Sequence, residues 1–313
     1  MDTISVIIPV YNRAGWIATT LEHIFAQELP IYEVVLCDDG STDDIAGALQ
    51  PYAEKIKIIR IENSGPGNAR KVAIDNSKGD WIALCDSDDY WLPGHITQFD
   101  CARQNFPEMD FYFSDFITSD QQATTKLEAA PEGWLASISS NSSTKQEFIN
   151  CSDNLYSALL RFQPCFQSAC IIKRELYEQI GGIDPRISRF RSEDAHLTRR
   201  LAAYGKAVIG LKPTVIINKH LGNFSSDLIR NMEGRLNILQ RLVDNIEIPV
   251  QFMEQTKIEI QHSHRDLFRL YYWNGLYRDM ISQWGRVPLT ERSLTDYLRF
   301  IKGYFFDKIR SHN

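Results

Sequence analysis

The segment Trp81 to Pro93, WIALCDSDDYWLP, holds the densest set of groups able to do chemistry. A short apolar run, Trp81, Ile82, Ala83 and Leu84, ends in the carboxylates Asp86, Asp88 and Asp89. Side chains two apart in an extended segment point the same way, so Asp86 and Asp88, in a D-x-D spacing, can converge on one ligand. Oxygen-only donors suit a hard divalent cation, Mg²⁺ or Mn²⁺, which keeps positions for water and substrate phosphates. Acids delivered to the tip of a buried strand need a cation to hold them. The competing reading is an acidic turn that caps the following helix.

The preceding residues show how such a tip would be positioned. Ile4 to Val10 is a near-continuous β-branched run, the pattern of a strand buried on both faces. Tyr11, Asn12 and Arg13 break it, and helical spacing follows from Ala14 to Gln27. Tyr32 to Leu36 is a second strand, leading into Asp38 and Asp39; Ser41 or Thr42 can cap the next helix, with Asp43 and Asp44 in its first turn. Lys57 to Ile61 is a third strand, and Asn63 to Gly67 a turn before a helix through Ala69, Val72, Ala73 and Ile74. Four strand–helix units in about ninety residues predict a parallel sheet with right-handed crossovers. Ligands of such sheets bind outside the carboxyl ends of the strands. The polar clusters at 11–13, 38–43, 63–70 and 86–89 all fall there, which favours a binding site over a mere cap. No GxGxxG or GxxxxGK[ST] follows the first strand, which argues against a nicotinamide dehydrogenase and a P-loop enzyme.

Taken in order, VIIPVYN, DDGSTDD, NSGPGNAR and LCDSDDYWLP resemble the nucleotide-binding half of the family-2 glycosyltransferases, over roughly residues 4 to 100. The resemblance implies a GT-A fold: an α/β, Rossmann-like, mainly parallel central sheet flanked by helices. It implies transfer of a sugar, with inversion, from a nucleotide-diphosphate donor to an acceptor hydroxyl, in bacterial cell-surface polysaccharide or lipopolysaccharide assembly. A UDP-sugar is the implied donor and a saccharide or lipid-linked molecule the implied acceptor. Asp88, helped by Asp86, would hold the metal. Asp39 would accept from the base or ribose, since only an acceptor can take the uracil N–H. By the same resemblance Pro9 and Tyr11 flank the base, Arg70 and Asp86 lie near the nucleotide, and Ser87 lies by the ribose.

Further on, Asp110 to Phe116 predicts a fifth strand, 117–150 a polar loop or insertion, 151–161 a helix, and Ser168 to Ile172 a strand. In RSEDAHLTRRLAAYG, Ser192 is an expected N-cap, with Glu193 and Asp194 as dipole-favoured acids of the first turn. Together with GGIDP, this stretch resembles the family's acceptor-side motif, which places the catalytic base on Asp194. Val215 to Asn218 predicts a last strand. In the loop after it, His220 is either a surface residue or, as in relatives, a group that reaches the metal. These features predict a transferase domain over 1–226, nucleotide half 1–100 and acceptor half 101–226, followed by a helical region over 227–313.

That C-terminal region changes sign. Between 265 and 313 nine Lys and Arg stand against five Asp and Glu, interleaved with aromatics, while the whole chain carries −6. The helices either pack those aromatics on the core or another subunit, or rest an amphipathic face, best seen in RFIKGYFFDKIR, on an anionic membrane. An acidic chain lacking clustered basic charge is not built for nucleic acid. The N-terminus has no signal-peptide pattern and the six cysteines no zinc spacing. The expectation is a reduced, cytoplasmic enzyme, peripheral to the membrane if the amphipathic face is used. Two alternatives stand beside it. A sugar-1-phosphate nucleotidyltransferase would want a Gly-rich basic loop after the first strand, and VIIPVYN does not supply one. A non-catalytic nucleotide- or carbohydrate-binding module would have no use for acids at 39, 86, 88 and 194.

Overall fold

A computed structural model of the 313-residue chain describes residues 2–120, 124–145, 147–219 and 227–310. It divides into two compact units, residues 1–222 and 223–313. The first begins with β1 (Ile4–Val10), α1 (Ile17–Phe25), β2 (Glu33–Asp38), α2 (Ile45–Leu49), β3 (Lys57–Arg60), α3 (Pro66–Asp75) and β4 (Trp81–Leu84). After these come β5 (Tyr90–Trp91), α4 (His95–Asn105), β6 (Phe111–Thr118), α5 (Trp134–Ile138), β7 (Ser139–Lys145) and β8 (Phe148–Cys151). The unit ends with α6 (Leu155–Leu159), β9 (Cys170–Lys173), α7 (Arg174–Gln179), α8 (Glu193–Tyr204) and β10 (Ala207–Ile217).

Among the described residues these strands form one ten-stranded sheet in the order β3-β2-β1-β4-β9-β6-β10-β8-β7, with β5 pairing to β10. The nucleotide-binding half, β3-β2-β1-β4, is wholly parallel. Strand β9 is antiparallel to both β4 and β6, β10 is parallel to β6, and the far edge is antiparallel. Every residue of β1 and β4 is buried, as the unbroken apolar runs require, because helices cover both faces. Strand order reverses at β1, with β2 on one side and β4 on the other, which is the switch point at whose carboxyl ends such sheets bind ligands. Cys37 and Cys85 are small buried hydrophobes.

Four local expectations change. Helix α2 is capped by Asp44, which accepts from the Gly47 N–H at 3.0 Å, and not by Ser41 or Thr42. Ser41 instead accepts from the Asn12 N–H at 3.0 Å, so the loops after β1 and β2 lock together. The region 117–150 is not a plain loop, since it supplies α5, β7 and the start of β8. The last strand begins at Ala207 rather than Val215 and bends between Gly210 and Val215. Finally, Ser192 precedes α8 with a left-handed φ of 61°, not the extended backbone of an N-cap, and makes no side-chain cap.

The second unit is helical: α9 (Leu228–Asp244), α10 (Val250–Trp273), α11 (Tyr277–Trp284) and α12 (Leu294–Arg310). Most of its aromatics pack against one another, as in Trp284–Phe300 at 4.8 Å and Phe268–Trp284 at 5.0 Å. Asp296, fully buried on α12, takes a two-pronged bond from Arg269 at 2.9 and 2.7 Å. No described helix is long and apolar enough to cross a membrane.

Candidate active site

The site is built on the carboxyl ends of β1, β2 and β4 and on the first turn of α8. Strand β4 stops at Leu84, so Asp86 to Asp88 lie in a turn, closed by the Asp89 N–H donating to the Asp86 carbonyl at 3.1 Å. The alternation expected to align Asp86 with Asp88 therefore does not apply, and each is held by its own arginine. Asp86 Oδ1 accepts from Arg70 at 2.6 Å, and Asp88 Oδ2 from Arg13 Nε at 3.1 Å. The third acid turns inward. Asp89 is buried, accepting from the Ser168 hydroxyl at 2.5 Å and the Asn218 N–H at 2.9 Å. Burial and its two acidic neighbours push the Asp89 carboxyl well above its ordinary range. Asp89 is thus a brace that ties the acidic tip to the end of β10.

Arg70, on α3, is the hinge of the arrangement. Its buried guanidinium donates to Asp86 with one arm and to Glu193 Oε1 with the other, each at 2.6 Å. One planar fork therefore joins the acidic tip of β4 to the start of α8. Burial alone would weaken the charge of Arg70, but Asp86 and Glu193 outweigh that and raise its pKa. Burial pushes the Glu193 carboxyl up to about 7 against the pull of Arg70. It raises Asp194 as well, opposed by the Ala195 N–H. Asp194, half-buried beside Glu193, sits in the same electrostatic field as Arg70 and Asp86.

Asp39, just beyond β2, is buried and spends its oxygens within the protein. Oδ1 accepts from the Ser64 N–H at 2.7 Å and the Ser64 hydroxyl at 3.2 Å; Oδ2 accepts from Gly65 N–H at 2.9 Å and the Asn63 amide at 3.2 Å. That fills the acceptor capacity of a carboxylate. Gly65 makes the turn possible, with a φ of 97° and only 2.7 Å from a would-be Cβ to both Arg189 Cγ and Ser188 Oγ. The same loop is stitched to the residues before α8: Ser188 accepts from the Asn68 N–H at 2.7 Å, and Arg189 donates to the Asn63 carbonyl at 2.6 Å. A cavity of ≈ 10 Å³, about one water, opens beside Glu193 between Gly67, Gln167, Ser188 and His196.

The other expected site residues fall nearby or outside. Pro9 is buried within β1, whereas Tyr11 is exposed just past its end. Ser87 is buried, its carbonyl accepting from Thr20 at 3.1 Å. His220 lies outside the described residues. Two participants carried no expected role in the sequence, Arg13 and Ser168, and of these only Arg13, inside the polar cluster after β1, had a usable signal. Glu193, expected only as a first-turn acid of α8, is instead the second partner of Arg70.

Among the described residues no three His, Cys, Asp or Glu side chains are grouped to hold a metal. Two carboxylates can still do so. Asp86 and Asp88, with side chains 23% and 16% exposed, present oxygens at the open end of the sheet. That is the usual protein share of a Mg²⁺ or Mn²⁺ site, water and phosphate oxygens supplying the rest.

Residues 5–99 match the model of Glycosyl transferase family 2. It is 33% identical over 150 residues to the succinoglycan biosynthesis protein ExoW of Rhizobium meliloti (strain 1021), covering 42% of this chain and 47% of that one. The chain spans about half the length, or less, of the first curated relatives it matches. Its fold is similar to that of S. aureus TarS 1-349 in complex with UDP-GlcNAc, with a TM-score of 0.65, 18% identity and coverage of 99% and 92%. It is also similar to the mannosyltransferase PcManGT from Pyrobaculum calidifontis in complex with GDP-Man and Mn²⁺, with a TM-score of 0.58, 18% identity and coverage of 97% and 79%. The fold is GT-A.

Proposed function

We propose that this chain, through its family 2 glycosyltransferase domain, moves a sugar from a UDP-sugar to an acceptor hydroxyl with inversion, in bacterial polysaccharide assembly. The observation that carries this reading is the Arg70 fork, which brings the acidic tip of β4 and the acids of α8 to one place. Asp88, with Asp86, would hold a divalent cation, Mn²⁺ or Mg²⁺, whose chemistry there is to offset charge growing on the departing diphosphate.

Glu193 is committed to Arg70, which leaves Asp194 as the carboxylate to act on the acceptor. Its raised pKa makes it a better base than an ordinary aspartate. The acceptor O–H gives its proton to Asp194, the oxygen attacks the anomeric carbon, and the bond from that carbon to the diphosphate oxygen breaks. No second carboxylate acts as nucleophile, so the configuration inverts. For Asp39 to accept from the uracil N–H or a ribose hydroxyl, its two longest bonds, from the Ser64 hydroxyl and the Asn63 amide, must give way. Tyr11, exposed past β1, would flank the base.

The test is UDP release from a panel of sugar nucleotides with Mn²⁺ and a saccharide acceptor. Asp194→Asn is expected to lower turnover by about 10²–10⁴-fold while donor affinity holds. Full turnover in that variant would remove Asp194 from the role of base.

A further inference from the structure

Helix α12 sorts its side chains by charge as well as by polarity. Leu294, Leu298, Ile301, Phe305 and Ile309 form an outward row that is 78, 59, 52, 62 and 59% exposed. At 3.6 residues per turn these five share an arc of about 80°. Lys302 and Lys308, both exposed, flank that row about 60° to either side of its midline. The acids of the helix turn the other way: Asp296 is buried against Arg269 and Arg299, and Asp307 is half-buried. Phe300 and Phe306 lie off the row and pack on Trp284 and Tyr277 within the unit, so Phe305 is the one aromatic in it.

An apolar row of this length is a docking surface without its partner. The charge pattern selects among partners. A second copy of α12 would bring Lys302 and Lys308 against the same row with no exposed carboxylate on the helix to pair with them. Lys302 and Lys308 lie over the Phe306 and Tyr304 rings, 5.8 and 5.3 Å from the centroids, and from there anionic lipid headgroups would attract both charges while the acyl region takes the apolar row. We propose that α12 lies in the plane of an anionic lipid surface, its apolar row sunk below the headgroups and Lys302 and Lys308 reaching up to them. The helix is neither long nor apolar enough to cross the bilayer, so it rests on it. This docking does not depend on the catalytic assignment.

The experiment is flotation of the whole chain with vesicles of phosphatidylcholine containing about a third phosphatidylglycerol, against phosphatidylcholine alone. The protein should float with the mixed vesicles, less so in high salt, and not with the neutral ones. Lys302→Ala with Lys308→Ala should lower partitioning roughly 30-fold, the weight of two cations near such a surface. Leu298→Glu with Phe305→Glu should abolish it, with unchanged circular dichroism and unchanged UDP release from a sugar nucleotide in solution. Equal binding to neutral vesicles, or no loss in either double variant, would overturn the proposal. So would an oligomer in light scattering that Phe305→Glu splits into monomers, since the row would then join copies of the chain.

Discussion

At the scale of single residues, the account turns on how carboxylates are kept together. Asp86 and Glu193 are far apart in sequence yet share one buried guanidinium. Arg70→Met would leave both acids without it and is expected to cost about 3–5 kcal/mol, read by denaturant unfolding. Arg70→Lys should recover only part of that, because an ammonium cannot span two carboxylates with a planar fork. Wild-type stability in both variants would show that the bridge is idle. The acids were legible in the sequence because they cluster at strand ends. Their partners were not. The expectation that a metal must hold the tip overlooked Arg13 and Arg70, whose contacts with Asp88 and Asp86 span 75 and 16 positions. Asp39 shows the same limit, since nothing local announces that Ser64 and Gly65 fold back to fill its acceptors.

At the scale of elements, periodicity located β1, β2, β3 and β4 well, because buried parallel strands are written as continuous apolar runs. It failed where pairing, not composition, makes the strand. Ser139–Lys145 (SSNSSTK) has little apolar content and is extended because it lies beside β8 at the edge of the sheet. Tyr90–Trp91 is too short to read and exists by pairing with Val215 and Ile216. Beneath that pairing sits His95, the first residue of α4, fully buried, with Nδ1 at 2.8 Å from the Thr214 hydroxyl and its ring 4.5 Å from Trp91. Burial pushes the His95 imidazole down to about 3. The folded unit therefore holds it neutral while the unfolded chain protonates it near 6.5. Its contribution is fully present above about pH 6.5 and is lost as pH falls toward 3, by at most about 1.4 kcal/mol per unit. His95→Gln should show a shallower loss of stability than wild type between those values, measured by thermal unfolding across pH. Parallel curves would mean that His95 is not held neutral.

At the scale of the whole molecule, the chain pairs a GT-A unit with a helical unit whose last helix carries an exposed apolar row. The first was legible because four strand ends gather its polar clusters. The second was legible as a helical, aromatic-rich region of opposite charge, but which helix faces are buried depended on aromatic packing that no local pattern displays. The central claim is that the tip of β4 binds a sugar nucleotide through a divalent cation. Titration calorimetry of a UDP-sugar into wild type and Asp88→Ala, each with and without Mn²⁺, tests it most directly. Affinity should rise with Mn²⁺ in wild type, and that response should be absent from the variant. Donor binding indifferent to Mn²⁺ in wild type, or an unchanged Mn²⁺ response in Asp88→Ala, would contradict it.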